Sequence, residues 1–258
     1  MPKKTDSSAG TVSAVETTFA ILEQLSEMGG AGVSDLATAL GRSKSNVHKH
    51  LTTLRELGYV TKGADDTYYV GLRFLGLGDR ARARTGLYEV AKAEVDSLID
   101  SVGERGQVMV EEEGRGIYIY QAKTEQAVRT DSYIGTMVAL HATAVGKSYL
   151  AFLDEDKRSE LLEAIDLTDD TESTITDYET LKTELKTIRD RGFAFNDEER
   201  TVGMRAVGAP ILTDEGRVIG AISISGPTTR INGDWYREEI PKLVQRSARV
   251  IGLKVTYS

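Results

Sequence analysis

Two short helical segments joined by a tight turn, near the amino end, restrict this part of the chain to a few folds. Apolar residues at helical spacing predict a first helix in TVSAVETTFAILEQLSEM, which ends at GGAG. Ser34 is placed to cap a second helix, DLATALG, which ends at Gly41. A third helix, KSNVHKHLTTLRELG, ends at Gly58. Two helices separated by a turn of about three residues that contains glycine are typical of a helix-turn-helix.

The third helix is predicted to have one buried face and one exposed polar face. Apolar residues that share one side at helical spacing form the buried face: Val47, Leu51, Leu54 and Leu57. The polar side chains expected to face a DNA major groove are Lys44, Ser45, Asn46, His48, Lys49 and Thr52. Those expected to hold phosphates are Arg42, Ser43 and Arg55. A solvated helix surface is the alternative interpretation of the same residues.

Two further observations favour DNA over a solvated surface. The segments YVTKG and DTYYVGL alternate around GADD and predict a hairpin, so the three helices and the hairpin form a winged helix-turn-helix. Residues 1–75 contain eight Lys/Arg and eight Asp/Glu, so this part is neutral although the whole chain has a net charge of −8. The acidic excess in residues 76–258 indicates a second domain with a different partner. We therefore expect a domain at 10–75 that binds double-stranded DNA.

A linker is predicted at 76–104. It begins with a basic run, and from Leu87 onward apolar residues repeat at helical spacing. This apolar stripe is able to pack on its own domain or on a second copy of the chain, and we expect the segment to include a dimerisation helix. The basic run is either a solvated surface, which is favoured, or a contact with the DNA backbone.

Residues 105–258 predict an α+β domain with an antiparallel sheet. QVMVEEEGRGIYIY predicts a hairpin that turns at EGRG, and VGMRAVGAPILTDEGRVIGAISISG predicts another around TDEG. Helices are predicted between the two hairpins. In the best defined of them, Thr176 and Glu179 have the spacing of a capping box and Gly192 is placed to end the helix. A final helix begins, or is kinked, at Pro241.

Composition disfavours several classes of site. The chain has no cysteine, so disulfides and thiolate metal sites are excluded. His48 and His50 point to different sides of a helix and His141 is the only other histidine, so neither a metal nor another cofactor is expected. The motif Gly-x-Ser-x-Gly is absent, and the carboxylates of NDEE are expected in a solvated turn, so no enzyme is predicted. An apolar run of about eighteen residues and an apolar leader are also absent, which favours a cytoplasmic protein with no membrane partner.

The stretch HATAVGKSYLAF contains Gly-Lys-Ser, the end of a phosphate-binding P-loop. That loop needs a glycine five positions before Gly146, where this chain has His141, so a nucleotide site is disfavoured. If a helix begins just after His141, the N–H groups of Ala144 and Val145 lie in its first turn and are able to bind a carboxylate. The small residues at 142–144 suit either close approach of a ligand or tight packing on the sheet, and both interpretations remain open.

Three stretches, in this order, resemble the isocitrate-lyase-regulator (IclR) family of transcription regulators. GRSKSNVHKHLTTLRELGYV is similar to the recognition helix of that family, LHATAVGKSYLAF to its ligand-domain signature, and NDEERTVGMRAVGAPILTDEGRVIGAISISGPTTRI to its closing block. The resemblance covers nearly the whole chain. It implies a winged helix-turn-helix joined by a linker helix to a GAF-like effector domain at 105–258, assembled as a homodimer or homotetramer.

The resemblance also implies which residues contact an effector. By match of motif these are Ala144, Val145, Met204, Ala206, Ser223 and Ser225, the first two through their backbone N–H groups. Asn196 stands where the family commonly has an acid that faces the effector. A neutral amide both donates and accepts, so it suits a hydroxyl or a carboxylate without repulsion. Ala206 is smaller than the cysteine that is frequent at its position, which indicates a roomier pocket.

The sequence therefore predicts a cytoplasmic transcription regulator of a catabolic operon. It is expected to bind a pseudo-palindromic operator and to respond to a small carboxylate or a sugar-derived acid. Two alternatives remain open, namely an enzyme built on the carboxy-terminal domain and a sensor whose winged helix binds protein.

Overall fold

The computed structural model describes residues 10–128 and 132–257, which form two compact units that divide between Ala81 and Arg82. The amino-terminal unit contains α1 (Ser13–Glu27), α2 (Val33–Ala39), α3 (Lys44–Glu56) and an antiparallel hairpin of β1 (Val60–Lys62) and β2 (Tyr68–Val70). Helix α4 (Arg73–Ala83) follows the hairpin. Three helices followed by a two-stranded hairpin are a winged helix-turn-helix.

The amino-terminal unit is held together by buried aliphatic side chains of α1, α2 and α3. The almost completely buried ones are Ile21, Leu25, Leu36, Val47 and Leu51. Burial of one such side chain contributes about 1.5–3 kcal/mol. Because α1, α2 and α3 obtain their stability from this shared core, the polar face of α3 does not have to contribute to folding.

Two details of the helix-turn-helix differ from the prediction. Ser34 lies inside α2, whose N-cap is Gly32. Leu57 is 52% exposed, whereas it was expected on the buried face of α3. The reason is that α3 ends at Glu56, so Leu57 lies past the last helical residue and outside the apolar stripe.

The carboxy-terminal unit is an α+β domain built on a six-stranded antiparallel sheet, as predicted. Its helices are α5 (Tyr88–Val102), α6 (Ala144–Phe152), α7 (Glu155–Ala164), α8 (Tyr178–Arg191) and α9 (Ile240–Thr256), the last preceded by a π-helical turn at Trp235–Glu239. Its strands are β3 (Arg105–Glu112), β4 (Arg115–Lys123), β5 (Met137–Val138), β6 (Ala194–Asp197), β7 (Met204–Leu212) and β8 (Val218–Pro227). The strand order is β5-β4-β3-β8-β7-β6.

Helices cover both faces of this sheet. Helices α5 and α9 pack on one face, around a core that includes Val95, Ile222 and Ile251. Helices α6 and α8 pack on the other face, around Leu150 and Ile188. The apolar stripe of α5 therefore packs on its own domain, which is one of the two alternatives that the sequence left open. The stripe is buried because it packs against the sheet.

Some boundaries in this unit also differ from the prediction. Asp177, not Thr176, caps α8, because the Asp177 carboxylate accepts a hydrogen bond of 2.7 Å from the N–H of Thr180. Gly192 ends α8 in the left-handed conformation, with φ of 85°, as predicted. Strands β5 and β6 were not predicted, because segments of two and four residues are too short to show a period of two.

Candidate functional site

The amino-terminal part of α3 and the turn before it carry exposed polar side chains. The exposed residues among those predicted to contact DNA are Arg42, Ser43, Lys44, Ser45, Asn46, His48, Lys49 and Arg55. Thr52 is half-buried. The Ser43 hydroxyl caps α3, because it accepts a hydrogen bond of 3.2 Å from the N–H of Asn46. This arrangement places Lys, Ser, Asn and His side chains around the free end of the helix, where they are able to reach bases and phosphates.

A polar contact fixes α3 against α1. The Thr18 hydroxyl lies 2.7 Å from the carbonyl oxygen of Ala14 and 2.8 Å from Nδ1 of His50. A hydroxyl has one hydrogen, and the carbonyl can only accept, so the Thr18 hydrogen goes to Ala14 and His50 Nδ1–H is the donor to Thr18. His50 therefore orients the helix instead of facing outward with His48.

The tip of the hairpin carries more negative than positive charge. Lys62 forms an ion pair of 2.5 Å with Asp66, which leaves the Asp65 carboxylate as excess negative charge. Hydrogen bonds from Thr67 hold the pKa of Asp65 below its usual range, so this carboxylate stays ionised at neutral pH. A negative tip is repelled by phosphates, and the charge distribution therefore favours α3 over the tip of the hairpin as the DNA-contacting surface.

A pocket lies at the amino end of α6 in the carboxy-terminal unit. The space between its walls measures about 500 Å³, including the part that is open to solvent. The described residues that line it are Arg105, Gln107, Tyr118, Ser132, Thr143, Ala144, Val145, Asn196, Arg200, Thr201, Met204, Arg205, Ala206, Ser223 and Ser225. All seven residues that were predicted to contact an effector are in this set, and four different stretches of the chain supply them.

Strand register explains why these residues share one pocket. Asn196 of β6 pairs with Ala206 of β7, Ala206 pairs with Ser225 of β8, and Ser225 pairs with Arg105 of β3. Residues that are directly opposite in neighbouring strands point to the same face of a sheet. The row therefore forms a largely polar floor, and the next row on the same face adds Gln107 and Ser223 beside Gly208.

The start of α6 lies directly above Gly208. A Cβ atom on Gly208 would lie 2.6 Å from the carbonyl carbon of Ala144 and 2.9 Å from the nitrogen of Val145. Only glycine allows β7 and α6 to approach this closely. Gly146 has a similar role, because its Cβ would lie 2.2 Å from the carbonyl oxygen of Leu140. The start of α6 therefore packs tightly on β7, which is one of the two interpretations that the sequence left open for the small residues in this stretch.

The same helix start also has N–H groups that are not used in folding. The Thr143 hydroxyl caps α6 by accepting a hydrogen bond of 3.1 Å from the N–H of Gly146, and Thr143 O accepts from Lys147 N at 2.9 Å. Among the described residues, no acceptor bonds to the N–H groups of Ala144 or Val145. Free N–H groups at a helix start attract an anion, because the helix dipole adds a partial positive charge there.

Asn196 is held in place from two sides. Its side-chain Nδ2 donates a hydrogen bond of 2.7 Å to the carbonyl oxygen of Ala142, two residues before α6. The Tyr236 hydroxyl, which extends from the π-helical turn, donates to the backbone oxygen of Asn196 at 3.1 Å. Burial raises the pKa of Tyr236, so this hydroxyl remains a donor at neutral pH. Asn196 itself is 5% exposed.

The lysine of Gly-Lys-Ser forms a buried ion pair. Lys147 Nζ lies 2.6 Å from both carboxylate oxygens of Glu199, and the two residues are 1% and 8% exposed. The Thr174 hydroxyl donates to the backbone oxygen of Glu199 at 2.6 Å, and the Thr171 hydroxyl donates to the backbone oxygen of Glu198 at 2.7 Å. The expectation that the carboxylates of NDEE are solvated is therefore wrong for Glu199. Burial raises the pKa of Glu199, and the Lys147 charge opposes that shift.

This ion pair joins two walls of the pocket. Lys147 lies one turn after Ala144 on α6, and Glu199 precedes Arg200 and Thr201, which line the opposite side. A buried ion pair adds little net stability, but removal of one partner is costly, so it fixes a geometry more than it stabilises a fold. The lysine thus has a structural role and is not a phosphate ligand.

Sequence patterns missed the arginines of the pocket. Arg105, Arg200 and Arg205 all line it. The Arg205 guanidinium pairs with the Asp197 carboxylate at 2.6 Å, whereas Arg200 donates to the Ser132 hydroxyl at 2.8 Å. Arg105 lies two residues before the predicted hairpin, which began at Gln107, and its neighbours on β8 cannot be identified without the strand order.

Other kinds of site find no support in the part of the chain that the structure describes. Its His, Asp and Glu side chains form no group of three that could hold a metal ion. His141 is buried, and its Nε2 lies 3.0 Å from the backbone oxygen of Thr168. None of the described helices combines the length and the apolar character that crossing a membrane requires.

Comparison with known proteins supports the same assignment over both units. The IclR helix-turn-helix domain matches residues 14–64, and the C-terminal domain of bacterial IclR transcriptional regulators matches residues 80–253. The "Probable HTH-type transcriptional regulator ArcR" of Halobacterium salinarum is 33% identical over 247 residues, which are 95% of this chain and 94% of the relative. The "HTH-type transcriptional regulator KdgR" of Escherichia coli is 32% identical over 253 residues, 98% of this chain and 96% of the relative.

A solved structure extends the likeness to the fold. The crystal structure of the Thermotoga maritima IclR is similar with a TM-score of 0.81 and 31% identity, and the match covers 94% of this chain and 98% of that one. The family predicted from three sequence motifs is thereby confirmed, together with the order of a winged helix-turn-helix and an α+β domain. The relatives are named as transcription regulators and not as enzymes. The chain belongs to the IclR family of DNA-binding transcription regulators.

Proposed function

We propose that this regulator binds its operator through α3, and that a small organic or sugar-derived acid in the pocket at the start of α6 changes operator binding. One observation supports the effector site above all others. Seven residues predicted from separate motifs line a single pocket. The free N–H groups of Ala144 and Val145 supply the hydrogen bonds that a carboxylate requires, and three arginines among the lining residues add positive potential.

On the DNA side, we propose that Lys44, Ser45, Asn46, His48, Lys49 and Thr52 face the major groove and that Arg42, Ser43 and Arg55 contact phosphates. The operator is a pseudo-palindrome, since a two-fold symmetric protein presents two such helices. The regulator acts in the cytoplasm on a catabolic operon. These assignments follow from the exposed face of α3 and from the family to which the chain belongs.

Assembly as a homodimer, or as a dimer of dimers, is part of the same proposal. Helix α4 contains no buried residue, and its Leu75 and Leu77 are 65% and 47% exposed. Apolar side chains in such a position favour contact with another copy of the chain. We therefore assign the dimerisation role predicted for segment 76–104 to α4, which overlaps the start of that segment.

Operator binding is tested with a labelled DNA fragment from the promoter region of the regulator's own gene. We expect binding that weakens steeply with salt, because Lys and Arg side chains release counterions from the phosphates. Lys49→Ala should weaken binding about tenfold or more. Lys186→Ala is the matched control, since Lys186 is an exposed lysine of α8 in the other unit. Equal affinities of the two variants would contradict the assignment of α3.

The effector pocket is tested by pocket filling. Ala206→Phe places a ring over the polar floor, so it should abolish the response of operator binding to organic acids. Operator affinity without an acid should stay unchanged, because Ala206 lies outside the winged helix-turn-helix. The measurement is fluorescence anisotropy of the labelled operator while candidate acids are titrated. An Ala206→Phe variant that keeps its full response would refute the pocket.

A further inference from the structure

Asn196 presents a defined atom to the pocket, because the orientation of its side-chain amide is fixed. The group 2.7 Å from the Asn196 amide is the carbonyl oxygen of Ala142, which can only accept a hydrogen bond. The atom at this end of the amide must therefore be the donor Nδ2. The acceptor Oδ1 then lies at the other end of the amide, away from Ala142.

Oδ1 of Asn196 is available to a ligand. Among the residues that the structure describes, none donates a hydrogen bond to this atom, although Asn196 is 5% exposed and lines the pocket. Oδ1 is accessible from the pocket, so a ligand that supplies a donor can take the place of water at this atom. A ligand oxygen without a hydrogen is disfavoured at the same place, because two acceptors would face each other.

We propose that the effector is a hydroxy acid, whose carboxylate binds at the start of α6 and whose hydroxyl donates a hydrogen bond to Oδ1 of Asn196. The inference rests on the proposed acid pocket and narrows its ligand class. The carbonyl that holds the Asn196 amide belongs to Ala142, and the free N–H groups begin two residues later at Ala144. Two residues span at most about 7 Å, so the Asn196 amide and the free N–H groups lie at the same end of α6, where one small acid is able to reach both.

The charge around the pocket favours a hydroxyl over an ammonium group as the donor. Arg105, Arg200 and Arg205 line the pocket, and no carboxylate is present among its described lining residues. The ammonium group of a ligand would be repelled by these guanidinium groups. A neutral hydroxyl meets the requirement of Asn196 without this repulsion.

The experiment compares acids that differ only in the group beside the carboxylate. Calorimetry on the full-length protein measures the binding of three pairs of acids: lactate and pyruvate, 2-hydroxybutyrate and 2-oxobutyrate, and 2-hydroxyglutarate and 2-oxoglutarate. For the pairs that bind, the hydroxy acid should bind about tenfold more tightly than the oxo acid, because only it pairs with Oδ1. Alanine, which has an ammonium group in the same place, should bind more weakly than lactate.

Substitutions then test whether Asn196 causes the preference for hydroxy acids over oxo acids. Asn196→Leu should reduce the hydroxy-to-oxo affinity ratio to about one, whereas a role limited to packing would weaken both acids equally and leave the ratio unchanged. Asn232→Leu is the matched control, because it makes the same substitution in the same unit at an asparagine that does not line the pocket and whose amide donates to the carbonyl oxygens of Thr228 and Thr229. Its ratio should equal that of the natural protein.

The outcomes separate the two proposals. If oxo acids or alanine bind as tightly as the hydroxy acids, the hydroxyl inference is wrong while the acid pocket stands. If Asn196→Leu keeps the preference, the inference is equally wrong. If no acid of the series binds at millimolar concentration, the acid pocket itself is refuted.

Discussion

Gly208→Ala tests whether the contact between β7 and α6 sets the geometry of the effector site. The new Cβ would lie 2.6 Å from the carbonyl carbon and oxygen of Ala144 and 2.9 Å from Val145 N, whereas an ordinary contact begins at 3.4 Å. All three atoms belong to the backbone, so α6 must move away by roughly 0.8 Å, more than the tolerance of about 0.5 Å for a preorganised site. We expect a loss of about 1–3 kcal/mol in the free energy of unfolding.

The same displacement should remove the response to the effector. A hydrogen bond of about 2.9 Å from Val145 N–H to a carboxylate would lengthen to about 3.7 Å, which is beyond bonding distance. Operator affinity without the effector should be unchanged, because Gly208 lies in the carboxy-terminal unit. The assays are denaturant unfolding and operator anisotropy with increasing amounts of effector.

Gly220→Ala is the matched control for this substitution. Its Cβ would lie 2.7 Å from the backbone oxygen of Met109, so it should destabilise the same sheet to a similar degree. Gly220 does not line the pocket, and this variant should therefore keep its affinity for the effector, measured by calorimetry. If Gly208→Ala binds the effector as the natural protein does, the close approach at Gly208 does not position the helix start.

Three further changes address separate contacts. Lys147→Met leaves the Glu199 carboxylate buried without its cation, so it should lower the free energy of unfolding, measured in denaturant, by about 3–5 kcal/mol. The double variant K147M/E199L should recover most of this loss. Full stability of the single variant would contradict a buried ion pair. Thr18→Val leaves His50 without its acceptor and should cost about 1–3 kcal/mol in thermal unfolding, and an unchanged melting temperature would argue against the contact. Leu75→Glu should shift the mass in light scattering from dimer to monomer, and a persistent dimer would remove α4 from the interface.

Helical periodicity predicted the amino-terminal unit because the contacts there are local. Val47, Leu51 and Leu54 are buried on one side of α3, as their spacing requires. The prediction failed at Leu57, where the helix had already ended. Periodicity identifies the face of a residue only while the helix continues, and the position of its last turn depends on capping contacts that the pattern does not contain.

The floor of the pocket was only partly predictable, because it is assembled by strand order. Arg105 lies beside Ser225, and Ser225 lies beside Ala206, although long stretches of chain separate Arg105 from the other two. No local pattern shows that β3 neighbours β8. Family motifs identified the residues of β7 and β8, but Arg105 and Gln107 lie outside those motifs and were missed.

Glu199 shows a second limit of local composition. NDEE has the composition of a solvated turn, and Asp197 is indeed exposed. Glu199 is nevertheless buried, because Lys147, 52 residues earlier, supplies its counter-charge and the Thr174 hydroxyl donates to its backbone oxygen. Whether a carboxylate is buried depends on its partner, and a partner so distant in sequence becomes visible only in the fold.

The sheet provides a physical basis for transmitting occupancy of the pocket to the start of the carboxy-terminal unit. On β8, Ser223 faces the pocket while Ile222 and Ile224, its neighbours in sequence, face the core under α5. A shift of β8 that improves contacts to a ligand must therefore change the packing of α5, since a close-packed core transmits small displacements. At the start of α5, the Tyr88 ring contacts the Arg82 guanidinium, which lies 3.5 Å from the ring centroid. A displacement of β8 would therefore reach α5 and, through Tyr88, the Arg82 side chain in the last turn of α4.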